Sequence, residues 1–187
     1  RRARAAAELT NLAAARFASF TEESTLGVSY QSTVHSSVFE SPTALTLGEL
    51  EHRLAYDISE SIDRERQQEW RRGVTLIGPH RDDLIVTIDG NPIGAYGSRG
   101  QQRLAVIALK LAETDLMTSA GADTPVLLLD DVFSELDSVH RGLLASSIAG
   151  ASMQTIVTST DETVVRAAGI PLEQYATVEA GNINWIA

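Results

Sequence analysis

Val126-Leu127-Leu128-Leu129-Asp130-Asp131 is a run of four apolar residues that ends in two carboxylates, and Ser134-Glu135-Leu136-Asp137 begins three residues after it. Preceded by Pro125, the run reads as a central strand of a parallel sheet, buried on both faces. A buried strand that delivers acids at its carboxyl end is how nucleotide hydrolases hold a phosphate-bound Mg²⁺. Mg²⁺ keeps several waters and takes one or two carboxylates, so Asp130 suffices as anchor. Asp131 is then available to orient and deprotonate an attacking water. The same pair serves equally as a cap for the turn that follows, and Ser134-Glu135-Leu136-Asp137 alone is another helix start.

Upstream, Gly97-Ser98-Arg99-Gly100-Gln101-Gln102-Arg103 opens a helix expected over about 101–118, with Leu104, Ile107, Ala108, Leu111 and Ala112 inward. Ser98 and Gln101 have capping-box spacing. The free N–H groups of such a helix start also form a phosphate cradle. Both readings stand on these residues alone. Downstream come a helix near 139–149, a strand Thr155-Ile156-Val157-Thr158, a short helix after Asp161, and a hairpin over about 175–186 that turns at Gly181-Asn182. Before the Gly97 segment, Val74 to Ile77 and Leu84 to Ile88 read as strands, the second closed by an Asp89-Gly90-Asn91-Pro92 turn. Residues 2–20 predict a helix, Leu26 to Tyr30 a strand, 31–46 a loop, and Leu47 to Arg72 a long charged helix ended by Gly73. Alternating strands and helices make this an α/β chain.

Composition limits the possibilities. The 187 residues contain no Cys, which excludes disulfides, thiolate zinc sites and a cysteine nucleophile. No apolar run reaches the roughly 18 residues of a membrane span, and no leader is evident, so the expectation is a cytoplasmic protein with no membrane partner. Net charge is −10, with −2 over residues 1–72 and −8 over 73–187. Nucleic-acid affinity therefore cannot come from bulk charge. Arg71, Arg72, Arg99 and Arg103 are candidates for phosphate contacts, although a solvated face suits an acidic chain better. The chain starts at Arg1 without Met, which reads as a fragment of something longer.

A Ser-x-Gly-Gln helix start, an apolar strand with paired acids about 25 residues later, Ser-x-x-Asp, and a strand ending in hydroxyls, in that order, resemble the signature motif, Walker B, D-loop and switch segment of an ABC-type ATPase head. With Gly78-Pro79-His80-Arg81-Asp82-Asp83-Leu84 added, the set is similar to the RecF family, strongly over about 70–165 and weakly over 1–72. The resemblance implies a partial ABC/SMC-type head, a P-loop NTPase sheet lacking its Walker A part. It places a helical arm subdomain at 1–72 and the carboxy-terminal part of the head at 73–187.

For function, it implies ATP and Mg²⁺ as cofactors and an ATP-dependent homodimer acting on gapped DNA or single-strand/double-strand junctions. RecR and possibly RecO are the implied partners, in recombination and RecA loading. Ser98, Gly100 and Gln101 would contact the γ-phosphate of ATP held by the partner subunit, and Asp130 would hold Mg²⁺ through water. Asp131 would sit in the catalytic position, Ser134 and Asp137 would form the D-loop, and Thr160 would stand where many relatives have a His.

No Gly-x-x-x-x-Gly-Lys-[Ser/Thr] loop is present, and Lys110, the one lysine, lies inside a predicted helix. The chain alone is therefore expected not to hydrolyse ATP, and to leave apolar sheet surface uncovered. His80, Arg81, Asp82 and Asp83 read either as contacts to nucleotide, partner or DNA, or as an internal cluster. Alternatives to the RecF reading are the head of another SMC or Rad50 relative, disfavoured because 1–72 lacks sustained heptads, and a non-catalytic docking module.

Overall fold

A computed structural model describes residues 2–34, 36, 46–121, 123–151 and 153–186. Helix α1, Arg2–Ala18, is rich in Ala and Leu and buries Ala6, Ala13 and Phe17 on one face. It packs against α4, Arg99–Ser119, whose Leu104, Ala108, Leu111 and Ala112 are buried. Arg16 clamps Asp115 across this pair with two hydrogen bonds of 2.7 and 2.6 Å. Half-exposed, such a bidentate pair is worth about 1 kcal/mol or less, so the apolar seam carries most of the stability. Strand β1, Leu26–Gln31, is tied to α1 where Thr10 Oγ1 donates to the Val28 carbonyl at 2.8 Å.

β1 pairs antiparallel with β2, Asp83–Ile88, in the register Leu26 opposite Ile88 through Gln31 opposite Asp83. Asp89 and Gly90, at φ 49° and 80°, form the two-residue turn into the short β3, Asn91–Pro92, a backbone that an Asp-Gly pair adopts at little cost. The single turn α3, Ile93–Tyr96, precedes α4. Long helix α2, Leu47–Arg72, starts at a capping box between Thr46 and Glu49 and ends at Gly73 in the left-handed conformation, as its sequence predicts.

Residues 74–77, expected as a strand, are not one. The Glu69 carboxylate reaches past the helix end and its Oε1 accepts from the N–H groups of Leu76 and Ile77, at 2.6 and 3.3 Å. Donors that a sheet ladder would have used are thereby taken. The loop expected over 31–46 falls largely outside the described residues; Ser32, Thr33 and Val34 belong to its described start.

Asp82 anchors that start. Its carboxylate accepts hydrogen bonds from Tyr30 Oη, from Thr33 N at 2.9 Å, from Thr33 Oγ1 at 3.2 Å and from Ser32 Oγ at 3.3 Å. Burial alone would raise its pKa; the hydrogen bonds outweigh that and hold it below the usual carboxylate value. Burial, and then the bond to Asp82, push the Tyr30 hydroxyl up to about 12. A raised phenol contributes stability that is complete below its unfolded value near 10 and is lost as pH climbs from about 10 towards 12. Ultraviolet titration should therefore show late ionisation from Tyr30 and also from Tyr175, which its hydrogen bond with Glu162 raises, and Tyr30→Phe should remove the Tyr30 part. Asp82→Asn should move it back towards 10. An unchanged curve in both variants would place the late group elsewhere.

The described chain divides into two compact units, 1–120 and 121–187. This division differs from the motif-based one at 72/73, because β1 and β2 pair across that point. In the second unit, β4, Leu127–Asp130, pairs parallel with β5, Thr155–Thr158, in the register Leu127 opposite Thr155 through Asp130 opposite Thr158. Between them a 3-10 turn, Val132–Glu135, leads into α5, Ser138–Ala149. Burial on both faces, expected for β4, is not observed. Leu127 and Leu129 are buried, whereas Leu128 is 69% exposed and its neighbour Ile156 49%. The sheet has two strands and one covered face, so the apolar run is half used. The unit closes with α6, Glu162–Ala167, and the hairpin β6, Tyr175–Glu179, with β7, Asn182–Ile186. Its turn is Ala180-Gly181, both at positive φ, one residue earlier than expected.

Candidate functional site

The candidate residues lie in both units. In the first, Ser98 is the N-cap of α4. Its Oγ accepts from Gln101 N at 3.2 Å, and Gln101 Oε1 accepts from Ser98 N at 2.9 Å, closing the capping box. Two of the four orphan donors at this helix start are thus satisfied, and the rest face solvent. Ser98, Arg99 and Gly100 are exposed. The two glycines differ in their reasons. A Cβ on Gly97 would come within 2.7 Å of the Ile93 carbonyl, so the fold itself demands glycine there. A Cβ on Gly100 would meet nothing nearer than Ser98 Oγ at 4.0 Å, so its glycine serves no packing need within the chain. Gln102 Nε2 braces the approach by donating to the carbonyls of Gly97 and Ile93.

In the second unit, the parallel register sets Asp130 directly opposite Thr158 at the carboxyl ends of β4 and β5. The Thr158 hydroxyl donates to Asp130 Oδ1, and its oxygen accepts from the Asp131 N–H at 3.2 Å. One hydroxyl therefore clips both acids of the pair. Asp131 has φ 48° and ψ 24°, a left-handed backbone that aspartate tolerates better than most non-glycine residues. Among the described residues its buried Oδ1 has no hydrogen-bond partner, a cost of about 1–3 kcal/mol. An unpartnered buried carboxylate oxygen at a strand end marks a position held for something other than stability. The capping alternative fails for Asp131, which makes no side-chain cap to the 3-10 turn.

Ser134 Oγ donates to the Asp131 carbonyl at 2.8 Å, and Arg141 Nε donates to the Phe133 carbonyl at 2.7 Å, so the turn after the acids is pinned from both sides. Asp137 caps α5: its Oδ1 accepts from Val139 N and His140 N at 3.0 Å, and its Oδ2 lies 2.6 Å from His140 Nδ1. The His140 backbone bond first, then its ring, lower the Asp137 pKa. Thr160 is exposed, and no hydrogen bond joins it to the two acids among the described residues. Thr158 makes the contact instead. The sequence signal was there, a strand ending in hydroxyls, but only the register shows which hydroxyl meets the carboxylates.

The donor set at β4 and β5 is all oxygen and suits a hard cation. Among the described residues no three His, Asp or Glu side chains converge as a metal cage. Two carboxylates and a hydroxyl fit Mg²⁺, which keeps most of its shell as water and phosphate, better than a metal bound by protein alone. The unpartnered Asp131 oxygen agrees with that fit. Gly78 to Leu84 proves to be an internal node in part: Asp82 holds Tyr30, Ser32 and Thr33, while Arg81 and His80 both bond Thr75, at 3.0 and 2.8 Å.

Two solved structures share the fold. One, described as the recombination mediator protein RecF-ATPrS in the RecFOR pathway, superposes with a TM-score of 0.69 at 22% identity, covering 97% of this chain and 44% of that one. The other, described as RecF-ATP, gives 0.67 at 23% identity with the same coverage. The fold is thus that of part of a RecF structure, α/β in class. The sequence narrows the class. The DNA replication and repair protein RecF of Herpetosiphon aurantiacus is 44% identical over 131 residues, 68% of this chain and 34% of that protein. Its counterpart in Roseiflexus castenholzii is 54% identical over 99 residues, 53% of this chain and 25% of that one. The chain belongs to the RecF family. It spans about a third of the length of the curated relatives it matches, and no protein-family model matches it.

Proposed function

We propose that the chain is the carboxy-terminal portion of a RecF-type ATPase, with an arm at 1–72 and part of the head at 73–187, working as an ATP-dependent DNA-binding dimer in gap repair. The observation that carries the reading is the arrangement of Asp130, Thr158 and Asp131, with a buried carboxylate oxygen left unpartnered. In this reading Asp130 would hold Mg²⁺ through its waters, and the ion would supply charge neutralisation to the nucleotide phosphates. Thr158 fixes the rotamer of Asp130. Asp131 accepts the proton of the attacking water, and its short side chain suits slow, switch-like turnover. Ser98, Gly100 and Gln101 offer the open start of α4 to the γ-phosphate of ATP held by the partner subunit. Ser134 and Asp137 shape the turn that faces the dimer. Thr160 is a less favoured sensor than Thr158. Cytoplasmic action on gapped DNA with RecR, and with RecO in RecA loading, belongs to the same proposal.

The bare face of β4 and β5 supports an incomplete head, because parallel sheets are stable with both faces covered. The test is Mg-ATP turnover by the chain alone and with the amino-terminal half of a RecF protein supplied in trans. Turnover only in the mixture, lost with Asp130→Asn, is the expected result. Turnover by the chain alone would demand a phosphate loop that the sequence lacks. No turnover in the mixture, with both halves folded by circular dichroism, would leave a non-catalytic docking module.

A further inference from the structure

Two connections leave the carboxyl ends of the parallel pair that carries the acids. After β4 comes the 3-10 turn Val132–Glu135, whose Phe133 is fully buried. After β5 come residues 159–161, and then α6 with Asp161 as its N-cap. This second link is stiff. Ser159 Oγ accepts from the Asp161 N–H at 3.2 Å and donates to the Asp161 carbonyl at 3.1 Å. Asp161 Oδ1 in turn accepts from Thr163 N at 2.8 Å and from Thr163 Oγ1 at 2.6 Å. α6 packs against the 3-10 turn, so the two connections are neighbours.

Arg141, in the first turn of α5, acts on both. Asp137, four residues earlier, is the usual partner for an arginine at this spacing. Its carboxylate is instead taken up by Val139 N, His140 N and His140 Nδ1. The Arg141 guanidinium turns to the 3-10 turn, where Nε donates to the Phe133 carbonyl at 2.7 Å, its one hydrogen bond among the described residues. Its charge is also felt at the second link. Hydrogen bonds from Thr163 lower the Asp161 pKa most, and the Arg141 charge lowers it further.

We infer that Arg141 is a positioning residue for Asp131, its guanidinium holding the turn after β4 against the link after β5 so that the acids and Thr158 keep one geometry. The inference rests on the ATPase reading above and adds a residue to it. Asp131 needs such support. Its N–H donates to the Thr158 carbonyl and to Thr158 Oγ1, both at 3.2 Å, but its Oδ1 has no partner among the described residues to orient it. The direction of the carboxylate is therefore set by the backbone that follows, through Ser134 on the Asp131 carbonyl and Arg141 on the Phe133 carbonyl. A guanidinium suits the task because its donors lie in one rigid plane and serve two sides at once, where an ammonium is a single point. A reacting group misplaced by about 1 Å loses about 10²-fold in rate.

The test uses the 187-residue chain complemented with the amino-terminal half of a RecF protein, and Mg-ATP. Arg141→Ala should lower kcat by about 10–10²-fold and leave the KM for ATP unchanged. Arg141→Lys, which keeps the charge and one donor, should recover part of the loss. Arg166→Ala removes a guanidinium occupied with Glu162 and Tyr175 and should leave kcat unchanged. Amide exchange on the chain alone gives a second readout. The Asp131 and Thr163 N–H groups should exchange about fivefold faster or more in Arg141→Ala, while the β6–β7 hairpin keeps its rates. If Arg141→Ala does not fold by circular dichroism, Arg141→Gln takes its place. It offers Phe133 a donor and Asp161 no charge, so kcat should fall and Thr163 exchange should quicken; no change in either overturns the inference. A raised KM at constant kcat, faster exchange throughout the unit, or an equal loss in Arg166→Ala would make Arg141 a general stabiliser and overturn it too. Wild-type turnover with an unchanged kcat in Arg141→Ala overturns this inference and leaves the ATPase reading standing. No turnover in the wild-type mixture sinks that reading and the positioning role with it.

Discussion

Asp131→Asn is expected to lower ATP turnover in the complemented system by about 10²–10⁴-fold, the usual worth of a positioned general base. Its effect on stability should run the other way. The wild-type carboxylate combines a left-handed backbone with a buried oxygen that no group among the described residues satisfies. Asparagine keeps the shape, tolerates that backbone better than most residues, and removes the charge. Urea unfolding of the isolated chain should therefore show no loss, and a gain of up to about 1 kcal/mol. A residue that is costly to the fold and indispensable to turnover is what a catalytic position requires. Should Asp131→Asn lose stability while turnover is untouched, the carboxylate is a structural group and the assignment fails.

Ser98→Arg should abolish ATP-dependent dimerisation of the complemented protein. In the proposed assembly the start of α4 meets the γ-phosphate of ATP held by the partner, and an arginine side chain fills that approach. Losing one charge-assisted contact already costs about tenfold to a hundredfold in association. The substitution also removes the N-cap, which weakens α4 by about 1 kcal/mol, so Ser98→Ala is the needed comparison: it loses the cap without adding bulk. Gly100→Ala sharpens the test, since a Cβ there meets open space within the chain. Any loss of dimer from Gly100→Ala, read by analytical ultracentrifugation with and without ATP, must come from a group approaching from outside. Intact dimers in both Ser98→Arg and Gly100→Ala would sink the sandwich arrangement.

Much of the fold was legible because the local signals are strong. The Ser98 capping box, Gly73 at the end of α2, and the Asp89-Gly90 turn each fix a boundary through a backbone requirement. What escaped the sequence depended on distant partners. Val74 to Ile77 has strand composition, but a glutamate from the preceding helix claims two of its donors. Leu128 is apolar inside an apolar run, yet it is exposed because the sheet stops at two strands. Thr160 and Thr158 are chemically alike in the sequence; only parallel pairing with β4 selects Thr158. At the site, residue types were readable from motif order, while the unpartnered oxygen of Asp131 was not.

The Glu69 contact has a consequence for solution behaviour. Thr75, Leu76 and Ile77 form a short β-prone stretch, the kind of segment that recruits a strand from another molecule when its backbone is left open. By occupying the Leu76 and Ile77 N–H groups, one carboxylate from a helix removes two of the donors a foreign strand would find there. It adds a negative charge at the same spot. Proteins commonly guard such margins with lysine or proline on the strand itself; here the guard is a side chain borrowed from the last turn of α2.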